Sequence, residues 1–348
     1  MTIFYTDYVE STCRQNHTYF ASSDFLLTAY HFTALFTIPL SLFTFLTIIR
    51  VTPRKMKNLK VPMLIAHVWS TNLDLMLTVY SAPLMFFPSA AGLPMGLFGL
   101  AGIAPKWLAY IGQVSVIMMG VNFVMLLENR HSQIDTINAK MSRRRTRIIY
   151  FVVNYIMAFL FILPFYLENT DQYEIRKFVL KRIPCPIIDF YDEKAYILLR
   201  GGELLPFISI STGLFVIVSQ TIYFASNTIY HLNYVRNANL SDSTKALQKK
   251  FLSYVVMQVT IPWIVLCSPI IYSLVADRYD YYNQTLNNVS MILMASHGLL
   301  STSCTLFIIK PYREFVKNII RGNTSFNPAD MWATQAKDGS VAVGSDAL

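Results

Sequence analysis

The sequence predicts an all-α membrane protein, a bundle of seven helices that each cross the bilayer. Of its 348 residues, 54% are hydrophobic and 14% are charged, whereas about a quarter of the residues in a soluble protein are charged. A helix that spans the bilayer needs ~20 mostly apolar residues. Seven segments meet this condition, and together they contain one charged residue, Asp74.

Short polar connections separate the seven predicted spans. The spans cover residues 25–49, 61–87, 107–127, 148–166, 204–230, 251–276 and 289–309. Only a backbone that satisfies its own hydrogen bonds is tolerated in hydrocarbon, so each span is expected to be helical. Residues 25–309 therefore form one transmembrane domain.

The positions of Lys and Arg predict the orientation of the bundle. Of the 29 basic residues, 20 lie in residues 50–60, 128–147, 231–250 and 310–348. Cytoplasmic loops are enriched in Lys and Arg, so these segments are predicted to be cytoplasmic and the N-terminus extracellular. The net charge of +9 therefore reports topology and gives no reason to expect nucleic-acid binding.

Residues 1–24 are predicted to be an extracellular N-terminal segment. They are polar and lack the apolar core of a signal peptide, so the first span is expected to direct membrane insertion itself. Asn16 in this segment and Asn283 before the seventh span each begin an Asn-x-Thr motif, which predicts glycosylation on the outer side.

The second span carries Asp74 near its middle. A carboxylate is costly inside the bilayer and by default suggests a functional site. Its hydrogen-bond donors are expected among Ser70, Asn72 and polar residues of the seventh span such as His297. Asp74 is then either a polar or cation-holding element that changes partners during signalling, or a hydrogen-bonded structural carboxylate.

The third span ends in a second ionisable pair, Glu128 and Arg130. A pair at the cytoplasmic mouth of a helix can hold neighbouring helices in a resting arrangement and release them when a partner binds. The alternative, an ordinary basic flank of a membrane span, explains Arg130 but does not explain Glu128.

The fourth and fifth spans are joined by the longest connection, residues 167–203, which is predicted to cover the outer end of the bundle as a lid. Of the four cysteines, only Cys13 and Cys185 lie on the predicted outer side. Disulfides persist in that oxidising compartment, so a bridge between these two residues is predicted. Cys267 and Cys304 lie in the sixth and seventh spans and are expected to be packed thiols.

Two prolines, Pro262 and Pro269, identify the sixth span as a possible hinge. After the seventh span, apolar and basic residues alternate at helical spacing, which predicts a short amphipathic membrane-surface helix over residues 310–321. Residues 322–348 show no apolar periodicity and are predicted to be a disordered cytoplasmic tail.

Motifs of enzymes are absent from the sequence, which carries no nucleophile elbow, zinc-protease motif or phosphate-binding loop. We therefore expect no catalytic residue, no metal site and no cofactor. A transporter or channel would be expected to show internal symmetry or several intramembrane charges.

Several short stretches along the chain are similar to one family. They are Asn72-Leu73-Asp74-Leu75 in the second span, Glu128-Asn129-Arg130 after the third, Pro184-Cys185 in the long connection, Gln258 with Ile261-Pro262 in the sixth span, His297-Gly298-Leu299 in the seventh, and Lys310-Pro311-Tyr312-Arg313 after it. In this order, over about 300 residues, the sequence resembles the serpentine receptor class H family of nematode chemoreceptors, which are seven-helix G-protein-coupled receptors.

The resemblance implies a chemosensory receptor of the plasma membrane, expected in the cilia of sensory neurons, that binds a small extracellular molecule and signals to a heterotrimeric G protein. A dimer is possible. A multi-pass transporter or ligand-gated channel is the alternative, and a membrane scaffold without signalling is a third hypothesis.

Depth and polarity select four residues as ligand-pocket candidates: Tyr110, Gln113, Trp263 and Tyr272. The alternative is that these aromatic residues only pack in the core. The expected G-protein contacts are basic residues at the inner mouth of the bundle, for which contact with anionic membrane lipid is the alternative. They are Arg130, Arg143, Arg144, Arg145, Lys249 and Lys250.

Overall fold

The computed structural model describes residues 18–53, 56–134, 136–137, 140–141, 143–168, 171–183, 185–199, 201–235 and 242–322, without the side chains of residues 57, 242–247, 250 and 251. Seven long helices and one short helix follow in chain order. They are α1 (Ser23–Val51), α2 (Lys57–Leu75), α3 (Pro105–His131), α4 (Arg144–Leu160), α5 (Leu204–Asn233), α6 (Asp242–Arg278), α7 (Gln284–Ile308) and α8 (Lys310–Ile320). The predicted seven-helix bundle is confirmed. We call its two ends outer and inner according to the predicted orientation.

Among the described residues, six helices are long and apolar enough to cross a membrane. They are α1, α3, α4 with its continuation to Leu167, α5, the part of α6 from Leu252, and α7. The remaining long helix, α2, has 19 residues and includes Asp74. It packs against α1, α3 and α7. Its polar residues His67, Ser70 and Asp74 are buried in the bundle, whereas Val61 and Val68 are exposed.

The second span differs from the sequence prediction of a helix over residues 61–87. α2 continues as a π-helical turn, Met76–Tyr80, and the chain then forms a strand, β1 (Pro83–Met85). Pro83 lacks the N–H that a helix would need, and a residue before proline is disfavoured in helical conformation. Ala82 accordingly has a positive φ of 41°.

A small antiparallel sheet covers the outer end of the bundle, and the sequence analysis did not predict it. β1 pairs with β2 (Ala90–Pro94), which in turn pairs with β3 (Tyr196–Leu199). β3 belongs to the long connection between α4 and α5, so that connection is joined to the loop after α2.

The long connection also contains a helix, Gln172–Arg182, which we call the lid helix. The Asp171 side chain caps it by accepting a hydrogen bond from the Tyr173 N–H at 2.9 Å. The Arg176 guanidinium donates to the carbonyl oxygens of Phe190, Asp192 and Ala195. Burial lowers the pKa of Arg176 from its ordinary value. These bonds tie the lid helix to the segment that leads into β3.

Burial is uneven around the bundle. α3 is its centre, since every residue from Met118 to His131 is buried. In α4 only Ala158 is buried, and α5 buries four of its 30 residues. α4 and α5 therefore present the most apolar surface to lipid. At the inner end, α8 packs on α1 through a contact of 2.6 Å between the Tyr312 hydroxyl and Thr52 Oγ1.

Candidate functional site

A cavity of about 510 Å³ lies between the helices beneath the sheet. Its walls come from α3 to α7 and from the turn after α2, and residues of all three strands line its outer end. Small-molecule sites in proteins commonly have volumes of ~300–1,000 Å³. None of the described residues that line the cavity is an Asp, Glu, Lys, Arg or His.

Tyr166, Trp263 and Gln113 are polar side chains of the lining with which a bound molecule could form hydrogen bonds. The Tyr166 hydroxyl and Trp263 Nε1 are buried and, among the described residues, have no hydrogen-bond partner. Gln113 is exposed where it lines the cavity. Because an unsatisfied buried polar group costs ~1–3 kcal/mol, a bound molecule that pairs with Tyr166 or Trp263 would gain free energy.

The four predicted pocket residues divide into two pairs. Gln113 and Trp263 line the cavity. Tyr110 and Tyr272 are not part of its lining and lie one layer outside it. The ring of Tyr110 packs edge-on against Tyr166 at 5.2 Å between centroids, and the Tyr272 hydroxyl donates to Asn287 Oδ1 at 2.8 Å.

The cavity ends toward the bundle centre at an aromatic contact between α3 and α6. The rings of Phe123 and Trp263 lie 6.1 Å apart between centroids. Next to Phe123, Asn122 Oδ1 accepts a hydrogen bond of 2.8 Å from the Tyr155 hydroxyl of α4. The cavity is thus in direct contact with the helix that leads to the predicted signalling pair.

Asp74 lies fully inside the bundle, against α7. Its Oδ1 is 3.2 Å from His297 Nδ1, but that nitrogen is engaged with the Met294 carbonyl oxygen at 2.8 Å. The backbone of Gly298 also approaches the carboxylate, because a Cβ built on Gly298 would lie 1.6 Å from Asp74 Oδ2. The sequence analysis expected hydrogen-bond donors for Asp74 in the seventh span, and the structure places α7 beside the Asp74 carboxylate.

Glu128 forms an ion pair with a residue that the sequence analysis did not select. Both oxygens of its buried carboxylate accept from the Arg147 guanidinium at the start of α4, from Nε at 2.9 Å and Nη2 at 2.7 Å. Arg130 instead donates to Gln133 Oε1 at 3.1 Å. Residues two positions apart on a helix point in different directions, so Glu128 and Arg130 face different neighbours, and their role in holding the helices at rest stays a prediction.

The residues of the predicted basic mouth differ in exposure. Arg130 is only 9% exposed. Arg143, Arg144, Arg145 and Lys249 are exposed, and the side chain of Lys250 lies outside the described residues. The exposed members of the predicted set therefore lie near the starts of α4 and α6.

The structure describes only some of the residues involved in the predicted disulfide and the predicted glycosylation. Cys185 is disulfide-bonded, whereas Cys267 and Cys304 are free thiols. Cys13 and Asn16 lie outside the described residues, so the Cys13–Cys185 pairing and the glycosylation of Asn16 stay predictions. Asn283 caps α7 by accepting from the Leu286 N–H at 3.1 Å.

Sequence reasoning missed Arg147, Tyr166 and the polar contact between α4 and α5. The Tyr150 hydroxyl donates to Gln220 Oε1, which joins the inner halves of these two helices. Arg147 is one of four arginines between residues 143 and 147. The sequence offers no signal to distinguish it from its neighbours, because its selection depends on the rotation of α4 relative to α3.

Comparisons with known proteins agree on one family. Residues 21–322, which include all seven long helices and α8, match the family described as "Serpentine type 7TM GPCR chemoreceptor Srh". A relative in Caenorhabditis elegans, "Serpentine receptor class H-72", is 24% identical over 325 residues, which is 92% of each chain.

Proposed function

The chain belongs to the Srh family of serpentine seven-transmembrane chemoreceptors, and on this premise we propose that it binds a small extracellular molecule within the helix bundle and signals to a heterotrimeric G protein. The resemblance found in the sequence is thereby confirmed at the level of the family. Ligand binding and coupling to a G protein are the two steps that we propose beyond membership of the family.

The cavity beneath the sheet is the observation that carries the proposal. It has the volume of a small-molecule site, and two of the predicted pocket residues, Gln113 and Trp263, line it. It is bounded by α3, α5, α6 and α7, so a molecule in it would touch helices that continue to the inner end. A ligand can shift the bundle only if it binds one helix arrangement more tightly than another.

The path to the inner end runs along α3. A ligand that displaces Trp263 changes its contact with Phe123 of α3, and α3 carries Glu128 one and a half turns further on. The ion pair between Glu128 and Arg147 then sets the position of α3 relative to α4. We propose that this pair, together with Asp74 beside α7, is the switch that ligand binding resets.

The G-protein contact is proposed at the inner end, on the exposed Arg143, Arg144, Arg145 and Lys249. Arg130, which is buried at rest, would become part of this surface once the inner ends of the helices separate. Anionic lipid is the alternative partner of the exposed arginines. The multi-pass membrane protein is proposed to reside in the plasma membrane of sensory-neuron cilia.

A chemical panel on cells that express the chain tests this proposal. We expect at least one small molecule to cause dissociation of G-protein subunits, measured by energy transfer between labelled subunits. Arg130→Ala should abolish this response at unchanged surface expression, and Gln113→Ala should shift its concentration dependence. Arg278→Ala, at the outer end of α6, is the control that should leave both unchanged.

Two results would contradict the proposal. A ligand-dependent current that persists in cells without heterotrimeric G proteins would favour the channel alternative. An Arg130→Ala variant that responds like the unchanged protein would exclude the role given to the inner end of α3.

A further inference from the structure

We propose that the cavity takes an uncharged, largely apolar molecule that carries a hydrogen-bond acceptor, and that this molecule enters from the bilayer through a window between α4 and α5. The inference rests on the proposed function, because it names the ligand class and the entry route of the same cavity. Its experiments measure binding alone, so they can fail or succeed independently of signalling.

The chemistry of the lining excludes ions as favoured ligands. The described lining residues include no acid, no base and no histidine, and most of them are aliphatic, Met, Phe or Pro. An ion moved from water into such surroundings without a counter-charge pays a large desolvation cost. An apolar molecule gains ~25 cal/mol for each Å² that it removes from water.

The polar groups of the lining select a hydrogen-bond acceptor on the ligand. The indole N–H of Trp263 can only donate, and the Tyr166 hydroxyl can donate or accept. Both are buried without a partner among the described residues. A carbonyl, ether or hydroxyl oxygen would satisfy either of them.

These two groups lie at opposite ends of the cavity. Trp263 packs against Phe123 and Tyr166 packs against Tyr110. Phe123 and Tyr110 are 13 residues apart on α3, a separation of ~20 Å at 1.5 Å per residue. The cavity is therefore elongated, and a ligand with one polar end and an apolar chain fits it in this direction.

The window lies between two contacts that join α4 to α5. Toward the outer end, Gly213 of α5 faces the ring that follows α4, since a Cβ on Gly213 would lie 3.1 Å from Phe161 Cε1. Toward the inner end, the Tyr150 hydroxyl donates to Gln220. Gly213 and Gln220 are seven residues apart on α5, so the window extends over ~10 Å of the helix.

Side chains between these two contacts line the cavity and are exposed as well. Val153 and Met157 of α4 and Val216 of α5 are 51%, 49% and 46% exposed, and all three belong to the cavity lining. They lie on the two helices that bury least inside the protein. The outer end is covered by the sheet, whose Met85, Leu93 and Leu198 belong to the same lining. The path from lipid is therefore more open than the path from outer water.

Gly112 offers a way to fill the cavity without disturbing the bundle. It lines the cavity, and a Cβ built on it would meet nothing within 4 Å. A large side chain at this position occupies space that the ligand would use, whereas alanine leaves that space nearly unchanged.

Photolabelling of the full chain in phosphatidylcholine nanodiscs tests the ligand class. The probe is a diazirine derivative of 2-undecanone, and its matched partner carries trimethylammonium in place of the acetyl group. We expect adducts of the ketone at Gln113 or Trp263, mapped by mass spectrometry, and at least tenfold fewer with Gly112→Trp or Gly112→Leu, a factor that corresponds to about 1.4 kcal/mol. Gly112→Ala and Leu35→Trp, on the lipid-facing side of α1, should label like the unchanged protein.

Three results would overturn the ligand class. They are equal cavity labelling by the ammonium probe, ketone adducts spread over lipid-facing residues only, and unchanged labelling in both filled variants. Thermal unfolding of each variant establishes that a loss of labelling does not reflect a loss of fold.

The rate of labelling tests the entry route. Met157→Trp combined with Val216→Trp narrows the window and should slow labelling by at least tenfold, whereas the yield after long exposure to the probe should stay the same. Arg182→Ala, which loosens the outer cover, should leave the rate unchanged. A rate that rises with Arg182→Ala and is unaffected by the window variant would show entry from the outer end and contradict this route.

Discussion

At the scale of single residues, the Asp74 carboxylate lies close against the backbone of Gly298. The site for a Cβ on Gly298 is already occupied by the Asp74 carboxylate. Glycine is therefore required here for close packing of α2 on α7. The Asp74 carboxylate contacts the backbone of α7, and any side chain at residue 298 would remove this contact.

Gly298→Ala is expected to lower stability by at least the ~1–3 kcal/mol typical of overpacking. The measurement is thermal unfolding of the detergent-solubilised protein. Gly112→Ala is the matched control and should be neutral or stabilising by up to ~1 kcal/mol, because alanine is favoured over glycine in helices.

The double variant Asp74→Ala with Gly298→Ala separates packing from a general intolerance of alanine. It should be more stable than the sum of the two single changes predicts, because removing the carboxylate makes room for the methyl group. Additive losses would contradict this interpretation of Gly298.

The ion pair between Glu128 and Arg147 gives a second prediction at this scale. Glu128→Gln should raise signalling in the absence of ligand and lower stability. Removing one partner of a fully buried pair costs ~3–5 kcal/mol, and we expect less here because the Arg147 side chain is 30% exposed. Basal G-protein activation and thermal unfolding measure the two effects.

The exchanged pair Glu128→Arg with Arg147→Glu should bring both basal signalling and stability part of the way back to the values of the unchanged protein. Arg145→Gln, at an exposed arginine two residues away, is the control and should stay within ~0.5 kcal/mol. If Arg145→Gln lowers stability as much as Glu128→Gln does, the loss does not come from the ion pair.

At the scale of elements, an outer clamp joins the lid helix to α5 and α6. We define it as Arg182, Gly202, Asp277 and Asp280. Arg182 Nη2 donates to the Asp277 carbonyl oxygen at 2.8 Å and Nε donates to Asp280 Oδ1 at 2.5 Å. The Gly202 N–H donates to Asp277 Oδ1 at 2.6 Å. The clamp therefore couples the outer end of α6 to the cover of the cavity.

Arg182→Ala is expected to speed amide hydrogen exchange in the lid helix, because the clamp is the connection between that helix and α6. Asp277→Asn should have a similar but smaller effect. Asp280→Asn is the matched control, since Asp280 is 64% exposed and exposed pairs contribute only ~0–1 kcal/mol. Equal exchange in the Arg182 and Asp280 variants would contradict the clamp.

The helices and strands also show which features could be predicted from local sequence patterns and which could not. The hydropathy pattern predicted the helices α1, α5 and α6 to within a few residues at most ends, because it depends only on local composition. It extended the second span to residue 87 because the strand β1 is as apolar as a helix. The pairing of β2 with β3 joins residues more than 100 positions apart, which no local pattern contains.

At the scale of the whole molecule, the orientation in the membrane is still a prediction from charge. An epitope tag at the N-terminus should bind antibody on intact cells, and a tag at the C-terminus should bind only after permeabilisation, measured by flow cytometry. Asn16→Gln should increase gel mobility if Asn16 is glycosylated. The reverse antibody pattern would contradict the orientation.

The sequence by itself determined the membrane class, the seven helices, their predicted orientation and the family. These properties follow from composition, from the positions of basic residues and from short motifs, all of which are local. It also selected Asp74 and Glu128, because a charge within or at the edge of an apolar span stands out without a structure.

The tertiary structure decided the partners of those residues and the shape of the cavity. Arg147 rather than Arg130 meets Glu128 because the rotation of α4 against α3 brings it there. The proposed window lies between the two contacts that join α4 to α5, Phe161 with Gly213 and Tyr150 with Gln220. Such features arise from the packing of whole helices, a long-range property to which each residue of the sequence contributes only a part.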